Sequence, residues 1–112
     1  MNIQVFGSSK SFDTKKVERY FKERRIKYQY IDMKKYGISE GELRSIVQKV
    51  GLDNLADEKN EEYQIFRYLA NPADKFYKLL DNQGLIKTPI VRNGKDAVVG
   101  FCPEVFEKWI NT

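Results

Sequence analysis

The chain has 112 residues, of which 41% are apolar and 32% charged, and its formal net charge is +4. This length is typical of one domain, and the balance permits a hydrophobic core beneath a charged surface. The sequence has no histidine and one cysteine. It therefore excludes Ser-His-Asp triads, Cys-His dyads, His-ligated metal sites, internal disulfides and thiolate clusters, and we expect no metal.

The first ten residues, MNIQVFGSSK, lack the charged start and long apolar stretch of a secretory signal. No apolar run approaches the ~20 residues that span a bilayer. We therefore expect a reducing, cytoplasmic setting without membrane attachment.

The first third of the chain predicts a βαβ unit. A β-prone start (residues 3–6) ends at Gly7 and a polar loop, and a helix begins near Ser11 or Asp13. A second β-prone run follows at residues 28–32. The apolar positions of the helix recur at helical spacing: Val17, Tyr20 and Phe21.

The middle of the chain predicts a helical insert over about residues 39–82. Ser39 and Glu42 have the spacing of a capping box, and that helix ends at Gly51. Another helical stretch covers about residues 60–70, and Asn71 with the following proline opens one more. The candidates for buried positions are Leu43, Ile46, Val47, Val50, Tyr63, Phe66, Tyr68, Leu69, Phe76, Leu79 and Leu80.

The end of the chain predicts a β-hairpin and a last helix. The two strands are joined by Asn93-Gly94, and Pro103 with Glu104 opens the helix. The order β-α-β, helices, β-β-α indicates an α/β fold, one domain over residues 1–112, with a four-stranded mixed sheet.

In such a sheet three separate segments reach the same rim. They are the loop of residues 8–11 with the start of the first helix, the Thr88-Pro89 pair, and residues 100–102. We expect any functional site at this rim.

With Thr-Pro before the third strand, this arrangement resembles the thioredoxin fold of the arsenate reductase (ArsC) and Spx family. The likeness spans nearly the whole chain and is strongest in two segments, FDTKKVERYFKERRIKYQYID and TPIVRNGKDAVVGFCPEVFEKW. The resemblance implies a thioredoxin-like fold and a cis peptide bond before Pro89.

The resemblance also identifies a departure from the family. Aligned on Phe6-Gly7 and Asp13-Thr14, Ser11 stands where the family carries its nucleophilic cysteine. A serine nucleophile needs a base, and the chain has no histidine to serve as one. Two positions where the family's arsenate-handling enzymes carry arginine hold Thr88 and Phe101 here.

Three interpretations of Ser11 stay open. It is an ordinary helix N-cap, which serine often is, or part of an anion site at a helix N-terminus. It is otherwise an engineered replacement of a native cysteine. In the anion site, Lys10 and Thr14 lie beside Ser11, and Arg92 adds charge if it faces the rim. Thr88, Pro89 and Phe101 shape that site.

Cys102 is a candidate redox thiol because it precedes the last helix, whose N-terminus can depress a thiol pKa. The alternative is a small buried residue, which is the commoner role of a free cysteine.

Charge is unevenly distributed. Residues 10–27 contain eight basic residues against three acids, whereas residues 53–62 contain five acids against one lysine. The basic segment suits nucleic acid or an acidic protein surface. We favour a solvated helix face, because Glu18 and Glu23 lie four residues before lysines and no nucleic-acid-binding motif is present.

The leading hypothesis is an ArsC/Spx-like protein that has lost redox catalysis and binds a small anion or a protein, without a cofactor. Spx-type relatives bind RNA polymerase, so the resemblance implies a partner in transcription. The alternative is an arsenate-reductase-like oxidoreductase that uses Cys102, or a native cysteine at position 11, with glutathione or glutaredoxin as electron donor.

Overall fold

The computed structural model describes residues 1–111. Helices and one short 3₁₀ turn cover both faces of a four-stranded sheet. The elements in chain order are β1 (Ile3–Gly7), α1 (Phe12–Glu23), β2 (Tyr28–Asp32), α2 (Glu40–Val50), α3 (Leu52–Leu55), α4 (Tyr63–Tyr68), α5 (Pro72–Asp81), the 3₁₀ turn (Gln83–Leu85), β3 (Ile90–Asn93), β4 (Asp96–Val99) and α6 (Pro103–Ile110).

The strand order in the sheet is β2-β1-β3-β4. β1 is parallel to β2 and antiparallel to β3, and β4 is antiparallel to β3. This confirms the predicted α/β, thioredoxin-like fold with a mixed sheet. The hairpin turn differs by one residue from the prediction, since Asn93 pairs with Asp96 and the turn residues are Gly94 and Lys95.

Two hydrophobic clusters lie on opposite faces of the sheet, because side chains alternate along each strand. In β1, Phe6 belongs to the cluster formed with the helical insert, whereas Ile3 and Val5 belong to the cluster under α1 and α6. Neighbouring residues of β3 divide in the same way, with Ile90 on the first side and Val91 on the second. The sheet is thus buried on both faces.

The helical insert begins and ends as the sequence predicts. Ser39 and Glu42 form the capping box of α2, and the side chain of Asn71 caps α5, with proline at its first position. Within α4, Phe66 is buried but Tyr68 is 76% exposed, so the prediction that Tyr68 is buried was wrong. Two residues along a helix is a rotation of about 200°, which places Tyr68 opposite Phe66.

Candidate functional site

The loop between β1 and α1 is closed by its own hydrogen bonds. Ser11 is the N-cap of α1, and its hydroxyl oxygen accepts a bond from the Thr14 amide at 3.2 Å. The Ser11 amide donates to the Ser8 carbonyl at 3.0 Å, and the Lys10 amide donates to the Ser8 hydroxyl at 3.3 Å. Ser11 therefore has the structural role of a helix cap, and three of the local amides are already paired.

Thr14 anchors this loop to the sheet. Its side chain is 1% exposed, and its hydroxyl oxygen accepts a bond from the Ser8 amide at 3.3 Å. Gly7 allows the close approach, because a Cβ there would lie 2.5 Å from Thr14 Cγ2. The contact of Thr14 with an anion stays a prediction, and in the structure its buried hydroxyl serves the loop. Lys10 is exposed at the loop surface.

The first turn of α1 already carries a negative charge. Asp13 is exposed there, 3.8 Å from the ammonium of Lys16. A carboxylate at this position interacts favourably with the positive end of the helix dipole. A ligand anion at the same end would be repelled by Asp13, so the start of α1 alone is a poor anion site.

The three segments predicted to share a rim do meet. The Thr88–Pro89 peptide bond is cis, as the resemblance implies. The Pro89 carbonyl accepts a bond from the Gly100 amide at 2.8 Å. Gly100 has a φ of 86°, a conformation that glycine adopts without steric cost. Thr88 and Gly100, with Ser8 and Asp13, line one cleft.

This cleft has a volume of about 780 Å³ and lies between the rim and the helical insert. Three lysines from different parts of the chain line it, together with two aspartates: Lys34, Lys59, Lys87, Asp13 and Asp57. Gln83 also lines the cleft, and its amide group is held by two 2.8 Å bonds to the Ile38 backbone. The size is within the ~300–1,000 Å³ of small-molecule sites.

None of the three lysines was predicted from the sequence. Lys34 follows the carboxyl end of β2, where parallel strands place site residues, so the βαβ pattern held a signal for it. Lys87 directly precedes Thr88 of the rim, so the sequence also held a signal for it. Lys59 lies in the loop between α3 and α4, and its approach to the rim depends on how the insert folds back, for which a local pattern holds no signal.

Arg92 does not face the rim, and its predicted anion-binding role is wrong. In the antiparallel register, Arg92 lies opposite Gln4, near the start of β1 and away from Gly7. Its guanidinium donates to Gln4 Oε1 at 3.1 Å and to Ser45 Oγ at 3.3 Å, and its Nε is buried without a partner among the described residues. Arg92 thus joins the sheet to α2.

Phe101 does not shape the rim cleft either. Its ring lies 6.1 Å from the rings of both Tyr20 and Phe106, in the cluster under α1 and α6. The expected role failed because Gly100 turns the chain away from the rim before Phe101. Pro89 is buried beneath the rim, and its carbonyl bond to Gly100 maintains the shape of that rim.

Cys102 is the N-cap residue of α6 and is partly buried. Its thiol donates to the Val99 carbonyl at 3.4 Å. Burial raises the pKa of the Cys102 thiol above its ordinary value, and the carboxylates of Glu104 and Asp13 raise it further. The predicted depression by the helix N-terminus is therefore wrong, because desolvation and nearby negative charge act in the opposite direction.

Taken together, the rim cleft contains amines, carboxylates and an amide, and Cys102 is not among the residues that line it. Such groups bind acidic or hydrogen-bonding ligands and do not supply a thiolate.

No group of three potential metal ligands is found among residues 1–111. In the same part of the chain, no helix has the length and apolar character needed to cross a bilayer.

No protein-family model and no curated protein matches the sequence, so the comparison rests on solved structures. An arsenate reductase from Vibrio cholerae superposes with a TM-score of 0.83 at 20% identity, covering 96% of this chain and 97% of that one. A protein described as ArsC family related, from Bacteroides fragilis, has a TM-score of 0.81 at 19% identity, with coverages of 96% and 97%.

An arsenate reductase (ArsC) related protein from Brucella melitensis has a TM-score of 0.67 at 21% identity, covering 100% of this chain and 97% of that one. All three likenesses extend over nearly the full length of both chains. The fold of this protein is accordingly that of the ArsC-family arsenate reductases, a thioredoxin-like α/β fold with a helical insert.

Proposed function

We propose that this chain is an ArsC/Spx-like protein without thiol redox catalysis, and that it acts by binding an anionic group in the rim cleft. One observation supports the absence of thiol redox catalysis. At the family's nucleophile position, the Ser11 hydroxyl is committed to the Thr14 amide as a helix cap. The remaining thiol, Cys102, is partly buried and has a raised pKa.

The charges of the rim cleft support the binding of an anionic group. Lys34, Lys59 and Lys87 make no ion pair among the described residues, and they outnumber the two aspartates that share the cleft with them. The anion of the proposal therefore binds beside these lysines, away from Asp13 at the start of α1.

The absence of catalysis is tested by an arsenate reduction assay. Glutathione with glutaredoxin, and separately thioredoxin, serve as electron donors, and Cys102→Ser is assayed beside the unmodified protein. We expect no turnover above the protein-free rate with either donor. Turnover that Cys102→Ser abolishes would instead support the alternative, an oxidoreductase that uses Cys102.

Anion binding is tested by titration with sulfate and with phosphate, followed by amide NMR shifts. We expect saturable shifts at Lys59 and Lys87, and weaker binding by about two- to fivefold in Lys87→Ala, as is usual for one partly exposed charge. Lys49→Ala removes the same charge from exposed α2 and should not change the affinity. Shifts confined to the Ser8–Ser11 loop would contradict the proposed position.

A partnership with RNA polymerase is the further proposal that the Spx resemblance supports. Purified RNA polymerase and this chain are mixed and separated by size-exclusion chromatography. Coelution at a fixed ratio is the expected result. Separate elution at micromolar concentrations, where an unrelated thioredoxin-fold protein also elutes alone, would argue against it.

A further inference from the structure

The outer surface of α1 is strongly basic and lies away from the rim cleft. Here the basic face denotes five exposed side chains on α1 and at its C-cap: Lys15, Lys16, Arg19, Lys22 and Arg24. Because α1 packs on the sheet face opposite the helical insert, the basic face and the insert lie on opposite sides of the molecule.

The positive charge of this face is only partly neutralised within the molecule. The i, i+4 ion pair expected between Glu18 and Lys22 is not formed, because the Glu18 carboxylate accepts a bond from the Tyr28 hydroxyl at 2.9 Å. Among residues 1–111, Lys15, Arg19 and Lys22 make no ion pair. The helix face is exposed, as expected of a solvated face, but the expected ion pair between Glu18 and Lys22 is absent.

A cavity of about 290 Å³ adjoins these charges. Lys16, Arg19, Glu23 and Arg24 surround it, and the rings of Tyr20 and Phe101 form its apolar wall. Such a volume suits one or two side chains of a partner better than a larger ligand.

One wall of the cavity is held firmly in place. The Arg24 guanidinium lies 3.6 Å from the Tyr20 ring centroid and donates to the Tyr20 carbonyl at 3.2 Å. The Tyr20 hydroxyl donates to Glu107 at 2.7 Å, and Glu107 also lies 3.8 Å from Arg24. A preorganised cation loses little conformational entropy when a ligand binds.

We infer that the basic face docks an acidic segment of a partner protein, with one apolar side chain inserted against Phe101. Acidic side chains of the segment would pair with Arg19 and with the lysines beside it. A nucleic-acid backbone fits less well, because Glu23 lines the cavity and Asp13 lies beside Lys16. These carboxylates would repel a continuous row of phosphates, whereas a peptide can place an apolar side chain beside them and its acidic side chains beside the cations.

The test uses a labelled peptide with the core Glu-Glu-Phe-Glu-Glu, titrated with the full chain and followed by fluorescence anisotropy. We expect saturable binding that weakens as salt rises toward about 0.15 M, where screening acts within about 8 Å. Replacing the phenylalanine of the peptide by alanine should weaken binding about tenfold, through loss of apolar burial.

Variants of the chain locate the interaction. Arg19→Ala should weaken binding about two- to fivefold, and Lys16→Ala with Arg19→Ala about tenfold. Lys49→Ala removes the same charge from α2, on the opposite side of the sheet, and should bind like the unmodified chain. Lys16 and Arg19 are both exposed, so we expect both variants to fold, and circular dichroism checks this.

Three results would overturn the inference. The first is equal weakening by Lys49→Ala and Arg19→Ala, which would indicate attraction by net charge alone. The second is an alanine peptide that binds as well as the phenylalanine peptide. The third is tighter binding of a short DNA duplex than of the peptide at the same salt concentration, which would assign the face to nucleic acid.

Discussion

At the level of single residues, the main contrast is between Ser11 and Cys102. Both stand at helix N-termini, where a thiol pKa is ordinarily depressed. Ser11 is committed as the cap of α1 through its 3.2 Å bond from Thr14. Cys102 is partly buried and lies near two carboxylates, which raise the pKa of its thiol. The N-terminus of α1 therefore carries a hydroxyl at its cap, and the one thiol of the chain lies where its pKa is raised.

We predict that Ser11→Cys, made together with Cys102→Ser, produces a thiol with a pKa below the ordinary ~8.5, because the N-terminus of α1 stabilises the thiolate. The pH dependence of alkylation by iodoacetamide measures this pKa. The unmodified chain, which reports Cys102 alone, should react only above the ordinary thiol range. The prediction fails if the two proteins titrate together.

At the level of elements, α1 is joined to the sheet by polar as well as apolar contacts. The Tyr28 hydroxyl of β2 donates to Glu18 of α1 at 2.9 Å. Burial, followed by the hydrogen bond and charge of Glu18, raises the pKa of Tyr28 to about 12 from its ordinary 10.0. Because the protonated phenol is favoured in the folded state, this contact stabilises the fold at neutral pH. The stabilisation is lost as the pH rises through the folded-state pKa of about 12.

We predict that Tyr28→Phe lowers the free energy of unfolding by about 1 kcal/mol at neutral pH, the usual contribution of a hydrogen bond. The difference in the free energy of unfolding between this variant and the unmodified chain should be constant below about pH 10. It should shrink as the pH approaches about 12. Urea unfolding from about pH 8 to about pH 11 measures it. Tyr20 and Tyr30 also have a raised pKa, so only the difference between the two proteins is diagnostic. A difference that grows with pH would contradict the assignment.

At the level of the whole molecule, one sheet separates two hydrophobic clusters. The cluster of the insert includes Leu79, and the cluster under α1 and α6 includes Phe106. Strands β1 and β3 contribute side chains to both, so neither cluster is complete without the sheet. This sharing is the physical basis for the prediction that residues 1–112 fold as one domain.

We predict that Leu79→Ala, which removes a fully buried side chain of the insert, lowers the free energy of unfolding by about 2–5 kcal/mol. The fluorescence of Trp109, which packs 5.6 Å from Phe106 in the other cluster, should report the same midpoint as circular dichroism. Asp81→Ala, at an exposed position of the same helix, should change stability by less than about 0.5 kcal/mol. A Trp109 transition that Leu79→Ala leaves unmoved would show that the two clusters unfold separately.

Local patterns were sufficient for most of the architecture. The capping box at Ser39, the Asn71-Pro72 helix start and the β-prone run of β1 depend on neighbours within a few residues, so the sequence alone predicts them. The shared rim also followed, because strand directions are fixed once a βαβ unit and a hairpin join one sheet. The interpretation of Ser11 as a departure from the family rests on the resemblance and on an alignment over two short segments.

Tertiary structure decided which residues line the cleft and where Arg92, Phe101 and Cys102 lie. Register places Arg92 opposite Gln4, and the turn at Gly100 carries Phe101 to the other face of the sheet. Folding back of the insert brings Lys59 to the rim, where Lys87 already lies beside Thr88. Burial, register and charge proximity arise from contacts between residues distant in the chain, and these contacts decide which side chains share a site.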